Sequence, residues 1–308
     1  MATQTQAVSV KARKPGLRER LDSGSGLLPY FLVIPTIVVI LVVAAYPILN
    51  SIWLSLFDNP TLPGGGTFVG LQNYTTLLGN TVYRDAVSRT VVFTIVSVAL
   101  ETVLGLGVAL LINKTFPGRG LVRAAILVPW AFPTIVSAYI WQLMYNDQTG
   151  VITYFLQSIH LLGPGATLLG TSTGVIIAAV ITDVWKTTPF MALLLLAGLQ
   201  VIPTEMYEAA SVDGSSRWQQ FWSITLPMLK NVLIIALLFR SLDAIRVFDL
   251  FYAFGVRAYP SMASTSYFLM FAGTSTDFAP GLAAAVMIFL FGIVISLIFV
   301  TLMRRAAR

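Results

Sequence analysis

Long apolar runs separated by short polar intervals dominate this 308-residue chain. Six runs are each close to the roughly 20 residues that a helix needs to cross a bilayer. Their predicted bounds are residues 27–56, 90–112, 121–145, 174–199, 229–251 and 281–303. The pattern predicts an all-α integral membrane protein with six transmembrane helices, so both ends of the chain lie on the same side of the membrane.

Composition supports the membrane class. Apolar residues make up 56% of the chain and charged residues only 10%, whereas charged residues are about a quarter of an ordinary soluble domain. The first apolar run is too long for a signal-peptide core, so it is expected to remain as a span that Pro35 and Pro47 bend. The chain has no cysteine, which excludes disulfides, thiolate metal sites and cysteine nucleophiles.

The basic residues lie at the edges of the apolar runs, which indicates membrane topology and not nucleic-acid binding. Short loops rich in Lys and Arg stay in the cytoplasm. Most basic residues fall on the side of the termini: Lys11, Arg13, Lys14, Arg18, Arg20, Lys114, Arg119, Arg123, Arg217, Lys230, Arg304, Arg305 and Arg308. The opposite side holds Arg84, Arg89 and Arg257. The chain is therefore predicted to be a multi-pass protein of the cell (inner or plasma) membrane, with a cytoplasmic basic tail (residues 1–26), a six-span domain (27–304) and a cytoplasmic end (305–308).

A polar interval between the fourth and fifth runs, about residues 200–228, is predicted to form a cytoplasmic helix-turn-helix. Pro203 suits a helix start, and Glu205 and Glu208 place negative charge near a helix N-terminus. Gly214 permits the turn, and Pro227 is expected to mark the next helix boundary. The second helix carries the large apolar side chains Trp218, Phe221, Trp222 and Ile224. Such a helix needs a surface against which to bury them.

Ionisable residues inside the apolar runs are candidates for function, because each costs roughly 2.5–3.5 kcal/mol near the bilayer centre. The fifth run carries four that alternate in sign at intervals of three: Arg240, Asp243, Arg246 and Asp249. Neighbours at this spacing pair on a helix, although the row drifts around the helix axis, so some face a cavity. Arg246 and Asp249 are the candidates for substrate contact. Asp183 and Lys186 are expected to pair with each other, and Glu101 to make a hydrogen bond inside the bundle.

The outer end of the third run offers aromatic and amide side chains together. Its members are Trp141, Gln142, Tyr145 and Asn146. Aromatic rings beside amides suit a sugar, whose C–H face packs on a ring while its hydroxyls form hydrogen bonds. An interfacial aromatic belt explains the same Trp and Tyr equally well.

The segments EAASVDG and FWSITLP resemble the EAA loop of permease subunits of ABC importers that depend on a separate binding protein. The resemblance implies that this loop is a coupling helix seated in a groove of a cytoplasmic ATPase subunit. The alternative is a plain amphipathic hairpin between two spans. The implied coupling residues are Glu205, Glu208, Ala209, Ala210, Asp213, Gly214, Arg217 and Phe221.

Three further segments resemble carbohydrate permeases of this family: GLQNY, VWKTTPFMALLLLAGLQVIP and RVFDLFYAF. The resemblance implies that Trp185, Phe248, Asp249 and Tyr252 line a central sugar cavity. The chain departs from the family after this point, where FGVRAYPSMAST replaces a T-x-G-G-P pattern. The overall similarity is to the first permease subunit of trehalose importers, with maltose, other oligosaccharide and glycerol-phosphate systems as close alternatives.

The resemblance implies several partners: a second homologous permease, a dimer of ATPase subunits that binds ATP and Mg, an extracytoplasmic sugar-binding protein, and the sugar. No cofactor or metal is expected on this chain, and no nucleic-acid partner. Both Lys-Thr pairs, at Lys114 and Lys186, lack the glycine of a phosphate-binding loop.

Two other function classes were weighed. An ion-coupled secondary transporter is the alternative, but it predicts internal repeats that are not evident. An enzyme lacks a catalytic set, since the only histidine is His160. The segment GTSTG formally matches a nucleophile elbow but lacks its strand-turn-helix context, so Ser172 or Thr173 is expected to cap the fourth span instead.

Overall fold

The computed structural model describes residues 28–58, 60–61, 65–163, 165–255, 257–273 and 277–306. The predicted basic tail, residues 1–26, lies outside this part of the chain. The described residues divide into two compact units, with the boundary between Ser51 and Ile52.

The first unit is helical and carries most of the first predicted span. Helix α1 (Leu28–Ile40) continues through a π turn (Leu41–Ala45) into α2 (Tyr46–Leu54), which runs past the boundary. The π turn ends two residues before Pro47. A wider turn leaves room for the proline ring, which otherwise clashes with the carbonyl four residues earlier.

The second unit holds a two-stranded hairpin and twelve further helices among the residues described. The antiparallel strands are β1 (Phe57–Asp58) and β2 (Thr67–Phe68). The helices are α3 (Gln72–Gly79), α4 (Thr81–Asn113), α5 (Arg119–Ala131), α6 (Thr134–Met144), α7 (Val151–Ser158), α8 (Ser172–Leu199), α9 (Thr204–Val212), α10 (Arg217–Gln220), α11 (Leu226–Ala244), α12 (Asp249–Phe254), α13 (Met262–Phe271) and α14 (Phe278–Ala306). The described chain is therefore mostly helical, and α13 is a helix that the apolar pattern did not predict.

Five helices are long and apolar enough to cross a membrane: Tyr30–Leu54, Thr81–Asn113, Ser172–Leu199, Arg217–Phe254 and Phe278–Arg305. The predicted third span, 121–145, is not one continuous helix, because α5 and α6 meet at 86°. Pro133 has no N–H and disfavours a helical conformation at the residue before it. Phe132 is accordingly extended, with φ −72° and ψ 142°. The described chain thus has five spans, or six if this bent pair is one span.

Pro227 lies in the first turn of α11, at the predicted helix boundary, but no loop separates α11 from the helix before it. A π turn (Phe221–Thr225) joins α10 to α11, so the second half of the helix-turn-helix continues directly into the fifth span. As before Pro47, the wider turn precedes the proline and leaves room for its ring. The hairpin and the fifth span are therefore joined without an intervening loop.

The cap of α8 also differs from the prediction. Thr171, and neither Ser172 nor Thr173, is the N-cap residue, and its hydroxyl accepts a hydrogen bond from the Gly174 N–H at 3.0 Å. Thr171 has the extended backbone that an N-cap requires.

Helices α4 and α8 pack closely where glycine replaces a side chain. A Cβ at Gly105 would lie 2.7 Å from Met191 Cγ and 3.2 Å from the Ala192 nitrogen. Small residues let membrane helices approach because lipid supplies no hydrophobic driving force between them. Gly107, two residues along the same helix, has nothing within 4 Å of its Cβ position.

We expect Gly105→Val to destabilise the protein and Gly107→Val to have a much smaller effect. Forcing extra atoms into a packed interface costs about 1–3 kcal/mol, whereas the two variants change helix propensity equally. Thermal unfolding of the purified transporter in detergent compares them. Equal midpoints for the two variants would contradict the close packing of α4 on α8.

Candidate functional site

A cavity of about 490 Å³ lies where α8 faces the end of α11. It is lined by Phe93, Trp130, Thr134, Asp183, Lys186, Thr187, Arg240, Asp243, Ala244, Arg246, Val247, Phe248, Asp249 and Leu250. Six of these side chains are ionisable. Ionisable residues are rare within membrane-spanning segments, so a group of them marks a candidate functional site.

One wall of the cavity is an ion network around Arg240, which is 2% exposed. Its Nε and Nη2 donate to the two carboxylate oxygens of Glu101, at 2.5 and 2.8 Å. Nη2 also donates to Asp183 at 3.1 Å, and Nη1 donates to Asp243 at 2.5 Å. The hydroxyl of Thr187 donates to Glu101 at 2.6 Å. This network joins α4, α8 and α11 through charge-assisted hydrogen bonds, the strong class of such bonds.

The partners in this network differ from those expected. Glu101 is not alone but holds Arg240 in a bidentate pair. Asp183 also bonds Arg240, and it has no ion pair with Lys186 within 4.0 Å among the described residues. Spacing along one helix predicted an Asp183–Lys186 pair, whereas packing brings a stronger bidentate donor from another helix. The pairing of Arg240 with Asp243 was predicted correctly.

The end of α11 turns three predicted substrate residues into the cavity. The helix ends at Ala244, and the chain turns through residues 245–248 before α12 begins at Asp249. Asp249 therefore belongs to a different helix from Arg240, and the row of four charges is interrupted. The hydroxyl of Ser261 donates to the carbonyl of Val247 at 2.6 Å and satisfies a backbone group in the break. Arg246, Phe248 and Asp249 all line the cavity as a result.

The four predicted residues at the end of α6 are not among the residues lining this cavity, and each contacts a neighbouring segment. The Gln142 amide donates to the Ala253 carbonyl at 2.6 Å. Tyr145 is fully buried, and its hydroxyl donates to the Ala178 carbonyl at 3.3 Å. The Asn146 side chain accepts from two backbone N–H groups in the turn before α7.

The predicted aromatic substrate residues form two separate groups of ring contacts. Trp141 and Trp185 are in contact, with ring centroids 5.5 Å apart, and Trp185 is 42% exposed. Tyr252 stacks on the cavity-lining Phe248 at 5.1 Å and also contacts Tyr267 at 5.7 Å. Tyr252 thus lies one ring away from the cavity wall, whereas Trp141 and Trp185 contact each other and neither lines the cavity.

Sequence reasoning assigned several lining residues to no site, among them Trp130, Thr134 and Lys186. Trp130 and Thr134 flank the break between α5 and α6, so the Phe132-Pro133 step was the available signal. Lys186 was assigned to an ion pair with Asp183 on spacing alone. No local pattern reveals that Asp183 is occupied elsewhere.

The helix-turn-helix at residues 200–228 is held by its own polar contacts. Gly214 has φ +81°, a left-handed conformation that glycine adopts at little cost. The Gln220 amide donates to the Ser211 hydroxyl at 2.9 Å and to the Ser215 carbonyl at 3.2 Å. The hydroxyls of Tyr207 and Thr225 are hydrogen bonded at 3.0 Å. The conformation of the hairpin is therefore stabilised by hydrogen bonds within this chain.

The predicted coupling residues lie mostly on the exposed side of this hairpin. Exposed members are Glu205, Glu208, Ala209, Asp213, Gly214 and Arg217, while Ala210 and Phe221 are half-buried. Ala210 packs against the apolar cluster that includes Ile224 and Leu229. Trp218 is 70% exposed and contacts Phe221 and Trp222 ring to ring. Of the four large apolar side chains, only Ile224 is buried within the chain.

Comparison with known proteins identifies the family. The family model described as "Binding-protein-dependent transport system inner membrane component" matches residues 101–308. The chain is 44% identical over 286 residues to the trehalose/maltose transport system permease protein MalF of Thermococcus litoralis, covering 93% of this chain and 96% of that protein. It is 40% identical over 285 residues to the trehalose transport system permease protein SugA of Mycobacterium tuberculosis, covering 91% and 90% of the two chains.

The fold has a solved counterpart. A chain of a bacterial ABC transporter that imports the acidic polysaccharide alginate superposes with a TM-score of 0.76 at 22% identity, covering 91% of this chain and 96% of that one. At this identity the likeness shows the fold alone. The family match covers the Glu101–Arg240 network and the hairpin, and it is this match that places the sequence: this chain belongs to the family of inner-membrane components of binding-protein-dependent transport systems.

Proposed function

We propose that this chain is a permease subunit of an ATP-driven importer that carries a sugar, a disaccharide such as trehalose, across the membrane. The observation that carries this proposal is a polar cavity with aromatic walls in a chain whose relatives are trehalose permease proteins. Aromatic rings and hydrogen-bonding groups in one concave site suit a sugar.

The proposal includes six spans with both termini in the cytoplasm. The bent α5–α6 pair then serves as the third span, and the bias of basic residues supports the orientation. Residues 27–304 form the six-span domain, flanked by the tail 1–26 and the end 305–308. This orientation places the helix-turn-helix, about residues 200–228, in the cytoplasm between spans four and five.

The helix-turn-helix is proposed to dock on a separate ATPase subunit, which binds ATP and Mg. This docking is supported by the exposure of two large apolar side chains on the hairpin, since Trp218 is 70% exposed and Val212 is 88% exposed. Large apolar groups concentrated on a compact exposed element mark an interaction site. Because α10 continues into the fifth span, closure of two ATPase subunits would tilt that helix and reshape the cavity at its far end.

The remaining partners follow from the same scheme. A second homologous permease would close the pathway from the other side, and an extracytoplasmic binding protein would deliver the sugar. Arg246, Phe248 and Asp249 are proposed to contact the sugar directly. Trp141, Gln142, Tyr145, Asn146, Trp185 and Tyr252 are proposed to shape the outer approach to the site. Alternation between outward-open and inward-open states requires only that sugar and ATP favour different states.

We expect Asp249→Ala to weaken transport of trehalose by roughly 10-fold or more, because a hydrogen bond to a charged group contributes about 1.5–3 kcal/mol. The measurement is uptake of radiolabelled trehalose by the reconstituted transporter, with sugar-stimulated ATP hydrolysis recorded in parallel. Asp147→Ala, at an exposed turn outside the cavity wall, is the matched control. Absence of trehalose uptake by the parent transporter would contradict the proposed function. An Asp249→Ala variant that behaves like the parent would remove only this residue from the site.

A further inference from the structure

Two of the ionisable side chains in the cavity wall are unpaired, and they have opposite charge. Asp183 and Asp243 are both bonded to Arg240. Arg246 lies 3.9 Å from Asp243, and its Nε donates to the Leu242 carbonyl. Within the described part of the chain, neither Lys186 nor Asp249 forms an ion pair or a hydrogen bond with a side chain of another residue.

Lys186 is the more unusual of the two. The residue is only 6% exposed and lines the cavity. The stem of the side chain is buried, whereas its ammonium nitrogen is open to the cavity and has no protein partner within the described residues. A cation inside a membrane-spanning segment is normally paired. Asp249 is half-buried on the same wall, yet no Lys186–Asp249 nitrogen–oxygen distance falls within 4.0 Å in the described structure. The cavity therefore presents a donor and an acceptor that are separated from each other.

We propose that Lys186 is a sugar-binding residue that acts together with Asp249, and that the two select a neutral polyhydroxylated ligand. This inference rests on the proposed function. A sugar hydroxyl both donates and accepts hydrogen bonds, so adjacent hydroxyls satisfy the ammonium donors of Lys186 and the carboxylate of Asp249 at once. An anionic ligand satisfies Lys186 but meets Asp249 as a like charge. A cationic ligand meets the opposite conflict at Lys186.

Sugar binding by both residues also gives a reason why Lys186 and Asp249 do not form an ion pair with each other. A direct Lys186–Asp249 ion pair would occupy both groups, so that neither could replace part of the hydration shell of an incoming sugar. A site built to hydrogen-bond hydroxyls discriminates strongly against ligands that leave its buried polar groups unpaired. Lys186 is thus a specificity-determining residue, and Asp183 forms its ion pair with Arg240 and none with Lys186.

The test is equilibrium binding of radiolabelled trehalose to the purified complete transporter, without binding protein, for four variants. Lys186→Met and Asp249→Asn are each expected to weaken binding about 10- to 100-fold, as loss of a hydrogen bond to a charged group predicts. The double variant is expected to bind more weakly than either single variant. Lys114→Met, an exposed lysine at the end of α4, is the control and should bind like the parent.

Binding of trehalose 6-phosphate, an anionic ligand, tests whether the two residues contact the ligand or only compensate each other's charge in the folded protein. Asp249→Asn is expected to gain affinity for trehalose 6-phosphate relative to the parent, because it leaves Lys186 as an unopposed cation. If the double variant regains parental trehalose binding, the two residues only balance each other's charge, and the proposal is wrong. Unchanged binding by Lys186→Met also overturns it.

Assembly of the transporter is checked for every variant. If Lys186→Met does not assemble, Lys186→Gln retains an amide donor without the charge and replaces it. If both fail to assemble, Lys186 is structural and the proposal is overturned. If the parent neither binds nor transports trehalose, the proposed function fails, whereas binding by the parent with unaffected variants refutes this inference alone.

Discussion

Replacing Gly214 by Trp is expected to abolish ATP-driven uptake while leaving the chain folded in the membrane. Gly214 is exposed with φ +81°, and no atom lies within 4 Å of its Cβ position. A side chain there meets no neighbour within this chain and costs about 1–2 kcal/mol for the left-handed conformation. A bulky indole on the outer surface of the hairpin would instead prevent close docking on the ATPase subunit.

The matched control at this position is Gly214→Asn, because Asn tolerates the left-handed conformation and is small. It should retain most uptake. Glu208→Lys, on the exposed face of α9, reverses a charge on the same surface and should also abolish uptake. The measurements are membrane level, co-purification of the ATPase subunit and trehalose uptake. Parental uptake by Gly214→Trp would contradict the role assigned to this surface.

Replacing Arg240 by Met is expected to prevent accumulation of the folded transporter. The change leaves the carboxylates of Glu101 and Asp183 buried without their guanidinium partner. Removing one member of a buried ion pair typically costs about 3–5 kcal/mol, which is a large part of the stability of most proteins. Yield after detergent extraction and the thermal midpoint of the purified transporter measure the loss.

A triple variant distinguishes charge burial from a simple loss of packing. Arg240→Met combined with Glu101→Gln and Asp183→Asn removes the uncompensated charges while keeping side-chain volume. It is expected to recover much of the yield that Arg240→Met loses. A triple variant no more stable than Arg240→Met would show that the network acts by shape and not by charge.

Much of the fold follows from local sequence because hydrophobic length is a local property. The runs that became α4, α8 and α14 were located from their apolar residues alone. The breaks were harder to predict. Pro133 separates two helices at 86°, whereas Pro189 lies inside α8. Whether a proline breaks a helix depends on the packing around it. The sequence of a single segment does not determine that packing.

The candidate site shows the same limit more sharply. The charges were found from their positions in apolar runs, but their partners were not. Glu101 and Arg240 are 139 residues apart in the chain and in contact in the structure. Helix spacing correctly paired Arg240 with Asp243 and wrongly paired Asp183 with Lys186. Because Asp183 is engaged from another helix, Lys186 is left free in the cavity, a consequence of tertiary structure that no local pattern contains.

Photo-cross-linking in the membrane tests most directly whether the hairpin before the fifth span docks on an ATPase subunit. A photo-reactive amino acid is placed at Val212, which is 88% exposed on the hairpin, or at Leu161, which is 71% exposed between α7 and α8. The account predicts a covalent adduct to the ATPase subunit from position 212 and none from position 161. No adduct from 212, or an ATPase adduct from 161 instead, would contradict it.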